Sequence, residues 1–114
     1  MPGWFELSKS ADDQFRFVLK ADNAQVILTS QQYAAKDSAE GGIASVQANC
    51  SEDARYERKT SSDGRAFFNL KAANHQVIGT SQMYSSESSR ESGVASVMAN
   101  GTTKTVKDET SAST

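Results

Sequence analysis

Cys50 and His75 are the only thiol and the only imidazole in the chain, and they bound its chemistry first. One cysteine permits no intramolecular disulfide, and one Cys with one His falls short of a zinc ligand set. A Cys nucleophile served by a His base needs only one of each, so that chemistry stays formally open. His75, however, lies in Ala73-Asn74-His75-Gln76, which reads as a turn, where an exposed histidine is the plain expectation. Carboxylates recur as Asp12 and Asp63 in turn-like stretches and as Glu40 and Glu91 at the starts of helix-like ones. There they are expected to accept backbone N–H groups as turn and cap residues. Neither a Walker A nor a GxGxxG pattern is present to cradle a phosphate. No catalytic residue, cofactor or metal site is therefore assigned.

Two sets of residues have types suited to binding. Arg16 and Lys20 share one face of an extended run, and Phe67 and Lys71 share one face of another. If helices cover the opposite face, these four line the open face of a sheet. Cations beside aromatics on such a face suit single-stranded nucleic acid, neutralising phosphates and stacking bases. The plainer expectation is a solvated face whose Lys stems cover apolar surface. Sparse aromatics and a net charge of −2 favour it. The second set is Ser30, Gln31 and Tyr33, repeated as Ser81, Gln82 and Tyr84 ahead of each helix-like stretch. It suits a two-fold groove for a peptide or a small polar ligand. The plainer expectation is loop architecture, with hydroxyls serving backbone groups and Tyr rings packed. Trp4 is either an exposed contact or the cover of a sheet edge.

The second set recurs because the chain is a tandem repeat. An offset of 51 residues aligns the halves without a gap, and about half the positions of 5–50 are identical in 56–101. Residues 4–8 alternate as a strand does. Ala11-Asp12-Asp13 and Ser61-Ser62-Asp63-Gly64 are turn chemistry, with Asp-Gly supplying positive φ. Phe15, Phe17 and Leu19, and then Ala66, Phe68 and Leu70, mark one face of a second strand. Residues 26–29 and 77–80 read as a third. The capping boxes Asp37-Ser38-Ala39-Glu40 and Ser88-Ser89-Arg90-Glu91 predict helices that begin with Asp37 and Ser88 as N-caps. Asn100-Gly101 predicts a left-handed stop. Gly42 recurs as Gly93, which predicts close approach of helix and sheet. The segments after the helices correspond too, so 55–59 closes the first repeat and opens the second. A unit this small is marginal alone. Two units sharing one sheet give a single domain over 1–109, with repeat one at 4–54, repeat two at 55–109 and an unstructured tail at 110–114.

Composition agrees with a packed domain. A chain of 114 residues with 37% hydrophobic content is expected to bury roughly two thirds of its unfolded surface without staples. Met1-Pro2-Gly3-Trp4-Phe5 lacks the basic and apolar regions of a signal peptide, and no stretch approaches the roughly 20 apolar residues of a membrane span. A soluble, cytoplasmic protein without membrane contact is expected.

Four segments carry a resemblance: Gly3-Trp4-Phe5-Glu6-Leu7-Ser8-Lys9, Gln14-Phe15-Arg16-Phe17-Val18-Leu19-Lys20, Asn69-Leu70-Lys71-Ala72-Ala73-Asn74-His75-Gln76 and Gly93-Val94-Ala95-Ser96-Val97. Over residues 3–109 the chain closely resembles the YegP-like family of small uncharacterised bacterial proteins. The resemblance implies an α+β fold of two tandem β-β-β-α-β repeats. They would form one pseudo-two-fold domain with a shared sheet, two helices and exchanged post-helix strands. One-repeat members would build the same arrangement as a dimer, and this chain would be its covalent, monomeric version. The resemblance implies no activity, cofactor or catalytic residue. The expected function is binding of a protein or peptide partner without catalysis. The alternatives are weak single-stranded nucleic-acid binding through the open sheet face, and an enzyme with an unrecognised site.

Overall fold

Alternating apolar residues set the strands. The computed structural model describes residues 3–10 and 12–110. Its strands are β1 (Trp4–Lys9), β2 (Phe15–Lys20), β3 (Val26–Ser30), β4 (Tyr56–Thr60), β5 (Ala66–Lys71), β6 (Val77–Thr80) and β7 (Val106–Asp108). Helix α1 (Lys36–Asn49) follows β3, and α2 (Glu87–Asn100) follows β6. One mixed sheet has the order β4-β5-β6-β3-β2-β1-β7. Neighbours are antiparallel except β7, which runs parallel to β1. The repeats meet at β3 and β6, where Thr29 faces Thr80. A pseudo-two-fold axis therefore passes through this seam.

Phe5, Leu7, Phe17, Leu19, Phe68 and Leu70 are fully buried beneath Ile43 and Val46 of α1 and Val94 and Val97 of α2. Helix α1 touches β1, β2, β5 and β6, and α2 touches β2, β3 and β5. Each helix thus straddles the seam. Burial of each such Phe or Leu contributes about 1.5–3 kcal/mol, and much of it depends on both repeats being present. Both post-helix strands leave their own repeat, as the resemblance implied. β4 becomes the first strand of repeat two, and β7 crosses back to lie beside β1.

At two places where the copies meet, they differ. A Cβ added at Gly79 would lie 2.9 Å from Leu28 Cγ, and one added at Gly101 would lie 2.7 Å from Cys50 Sγ. Leu28 and Gly79 are counterparts in the repeat, and so are Cys50 and Gly101. Near the axis each position meets its own copy, and a large residue fits against a missing side chain.

Two helix-end expectations are corrected. The N-caps are Ala35, which makes no side-chain cap, and Ser86, whose hydroxyl accepts from the Ser89 N–H at 3.1 Å. The helices start earlier because Tyr33 and Tyr84 are already pinned by bridges to Phe15 and Ala66, and the chain turns directly from there. Glu40 and Glu91 therefore do not cap; Glu91 pairs with Arg58. Gly101 has φ −70°, a right-handed conformation, so its small size serves the Cys50 contact and no left-handed stop forms. Positive φ falls instead in the hairpin turns, at Asp13, Ala24, Gly64 and His75. The Asn23 and Asn74 carboxamides brace two of those turns, accepting from the N–H groups of Gln25 and Gln76 at 3.1 Å. Of the tail expected at 110–114, residues 111–114 lie outside the described residues.

Candidate functional site

The Cys–His option is removed by position. Cys50 is fully buried, its thiol 4.0 Å from the Gln47 carbonyl oxygen, and burial pushes its pKa up. His75 is exposed in the turn between β5 and β6. Among the described residues no group of three His, Cys, Asp or Glu side chains could hold a metal ion.

The open sheet face carries Arg16 and Lys20 on β2 and Phe67 and Lys71 on β5, as expected. β6 and β3 separate the two pairs, placing them about 14 Å apart at the usual strand spacing. Lys20 is held by Glu6 at 3.0 Å and Lys71 by Glu57 at 3.1 Å. The Trp4 indole N–H donates to Glu6 at 2.8 Å, and the Asn69 carboxamide donates to Glu57 at 3.1 Å. Those bonds, aided by the lysines, lower the pKa of both carboxyls. Lys20 and Lys71 are thus neutralised in place, while Arg16 is exposed and Phe67 half-buried. Trp4 is an edge cover: the Lys107 ammonium of β7 sits 4.3 Å from its ring centroid.

The loop set divides into two roles. Ser30 and Ser81 are buried. Each hydroxyl accepts from a β2 or β5 amide, Phe17 at 2.9 Å and Phe68 at 3.0 Å, and donates to the carbonyl of Gln31 or Gln82. Both hydroxyls are thus occupied in continuing the sheet. The rings of Tyr33 and Tyr84 stack on Phe17 and Phe68. Their hydroxyls press on Gly42 and Gly93, where any added Cβ would collide with them. Helix and sheet do approach closely at these glycines.

Gln31 and Tyr33 also line a cavity of about 210 Å³ across the seam. Gly42 and Ser45 complete its repeat-one wall. Ala72, Asn74 and Gln76 of the β5–β6 turn and Val77 and Ile78 of β6 form its repeat-two wall. All nine lining residues are identical to their counterparts: Gln82, Tyr84, Gly93, Ser96, Ala21, Asn23, Gln25, Val26 and Ile27. Packing explains Tyr33, Gly42 and Ile78, and turn geometry explains Asn74. It does not explain Gln31 and Gln76, which are exposed. The site residues not anticipated, Ser45, Asn74 and Gln76, carried one readable signal: identity across the offset at polar positions.

A further group was also not anticipated. At the β4 edge Arg58 reaches Glu91 at 2.8 Å and Asp53 at 2.7 Å, and Arg90 reaches Glu91 at 3.3 Å. Their repeat-one counterparts are Leu7 and Ala39, both fully buried.

Comparison with known proteins agrees with this duplicated architecture. A family model described as a domain of unknown function (DUF1508) matches residues 10–57 and again 61–108. The UPF0339 protein YegP of Escherichia coli K12 is 66% identical over 110 residues, covering 96% of this chain and all of the relative. A UPF0339 protein of Acinetobacter baylyi is 64% identical, covering 96% and 99%. The solution NMR structure of the E. coli protein of unknown function yegP superposes with a TM-score of 0.93 at 65% identity, covering 97% of this chain and 96% of that one. That of a Shewanella oneidensis UPF0339 protein gives 0.92 at 58% identity, covering 96% and 93%. No binding or catalytic function is assigned to these relatives in their descriptions. With two DUF1508 units in tandem and full-length likeness to YegP, the chain belongs to the uncharacterised YegP-like (UPF0339) family.

Proposed function

We propose that the protein binds a protein partner through the seam cavity and the matching residues of the other copy, without catalysing a reaction. The observation that supports this reading is the identity of all nine lining residues between copies that have otherwise diverged at about half their positions. Gln31, Asn74 and Gln76 each present a carboxamide, which donates and accepts at once. That chemistry matches the backbone amide of an extended peptide. The cavity is small beside the roughly 300–1,000 Å³ of small-molecule sites, so it suits one or two residues of such a segment. Its lining is neutral, which fits a peptide better than a phosphate. The nucleic-acid alternative is weakened by the Glu6–Lys20 and Glu57–Lys71 pairs on the open face. On this reading the chain acts as a cytoplasmic monomer with an internal pseudo-dimer, and both repeats over 1–109 fold as one unit.

The test compares cross-linked capture by wild type, by Gln31→Ala with Gln76→Ala, and by a quadruple variant adding Gln25→Ala and Gln82→Ala. These side chains are exposed, so thermal melts should coincide. A partner bound through both sets of residues is retained weakly by the first variant and lost by the second, because the two sites act by avidity. Identical capture by all three proteins overturns the proposal. Salt-sensitive binding of labelled single-stranded oligonucleotide would favour the open face instead.

A further inference from the structure

The sheet ends differently at its two sides. The outer edge of β1 is closed by β7 in parallel register, with Phe5 beside Val106, Glu6 beside Lys107 and Leu7 beside Asp108. The Phe5 N–H donates to the Thr105 carbonyl at 3.0 Å, and the Glu109 N–H donates to the Leu7 carbonyl at 2.8 Å. The pseudo-two-fold axis places the outer edge of β4 in the equivalent position. Yet the strand that follows α1 has itself become β4, so among the described residues no second β7 covers it. Among the described residues β4 is the last strand on that side. Only its first outward group is used, the Tyr56 N–H donating to the Asp53 carbonyl. The outward amide and carbonyl of Arg58, counterparts of those in Leu7, carry no strand.

We propose that the outer edge of β4 binds an extended segment of another protein by parallel strand addition, and that the segment reads apolar–basic–basic. Transfer of the β7 register gives the pattern. The first guest residue takes the place of Val106, which lines one pocket with Ile43 and Gln47. The counterparts of those two are Val94 and Met98, so the position is apolar. The second takes the place of Lys107, whose charge lies near Glu6, and meets Glu57. The third takes the place of Asp108, which pairs with Lys36. Lys36 corresponds to the exposed Glu87, and Arg58 at the same register is already paired with Asp53 and Glu91, so the preferred charge is reversed and a basic residue fits. A second copy of this chain is a poor occupant. Another copy's β7 would bring Asp108 towards Glu87. This edge is separate from the seam cavity, and the proposal does not depend on that site.

The experiment titrates the full chain, by amide NMR, with two synthetic peptides. One has the sequence of residues 104–110, and the other is its Asp108→Lys form. The Lys form should shift the amides of β4, protect the Arg58 and Thr60 protons from exchange, and bind about fivefold more tightly than its parent. In the exposed-site variant Glu87→Lys the preference should reverse. No shift in β4 at millimolar peptide overturns the proposal. So do equal binding of both peptides, shifts confined to β1 and β7, and slowed diffusion of the free chain that reveals β4 self-pairing.

Discussion

The two outer edges of the sheet occupy equivalent places in the repeat and are built from different residues. At the β1 edge Leu7 and Ala39 are fully buried and β7 lies alongside. At the β4 edge Arg58 and Arg90 stand in their places, tied to Asp53 and Glu91, with no strand beyond among the described residues. The difference follows from joining the copies. A symmetric exchange needs two free post-helix strands, and a continuous chain converts one of them into the opening strand of repeat two. The edge left without cover would be a sticky apolar rim if it kept Leu and Ala. Charged side chains are a common device for blunting such an edge against indiscriminate pairing. Duplication thus produced one closed side and one solvated side from a single template.

The largest expected effect comes from deleting matched side chains on the two edges. Leu7→Ala removes a side chain with no solvent exposure and leaves a cavity, so it should cost about 2–5 kcal/mol. Arg58→Ala removes a side chain that is 28% exposed and paired with acids that water can resolvate. It should cost less than about 1 kcal/mol. Urea denaturation of both variants measures the contrast. Equal losses would mean that the β4 edge is as integral to the core as the β1 edge.

A middle-sized effect is expected from making the edges alike. Ending the chain after Thr103 removes β7 and keeps the Gln47-to-Thr103 bond at 2.7 Å. Backbone bonds such as Phe5 N–H to Thr105 contribute about 1 kcal/mol each, offset by the entropy of ordering the strand, so a loss of about 2 kcal/mol is expected. The sharper measurement is amide exchange. Phe5 and Leu7 should lose protection and come to resemble Arg58 and Thr60. Retained protection at Phe5 would show that something other than β7 closes that side.

The strands and the duplication were legible because both rest on local pattern. Period-two burial places Phe17, Leu19, Phe68 and Leu70 on one face, and identical turn residues recur at one offset. The helix starts were misplaced by two residues because the bridges of Tyr33 and Tyr84 are long-range, and they override a local capping box. Gly101 looked like a stop, whereas its role depends on Cys50 of the other copy. The pairing of Lys20 with Glu6 was hidden because cross-strand neighbours depend on register. The seam cavity joins elements from both repeats, so no single stretch announces it. Its sign in the sequence was indirect: Gln31 and Gln76 are exposed, and each has the same residue in the other copy.

The smallest expected effect is a response of the closed edge to acid. Asp108 accepts from Lys36 first, and then from the Thr110 N–H at 2.9 Å and hydroxyl at 2.6 Å. These bonds hold its carboxyl well below the ordinary range near 3.9. A carboxyl whose folded pKa lies below its unfolded value stabilises the fold fully above the unfolded value, and that contribution is lost as the pH falls through the folded one. Acidification to about pH 2 should therefore loosen β7 before the central strands, seen as faster exchange at Lys107 and Glu109 relative to Leu19. Lys36→Met should remove the largest part of the lowering at Asp108, leaving the part due to Thr110, and weaken this response accordingly. The Glu91 carboxyl, lowered chiefly by Arg58, titrates in the same direction at the other edge. There it releases no strand, since none is docked. Acid should accordingly bring the closed edge towards the state of the open one, and an unchanged β7 at about pH 2 would locate its hold in Trp4 and the backbone ladder rather than in Asp108.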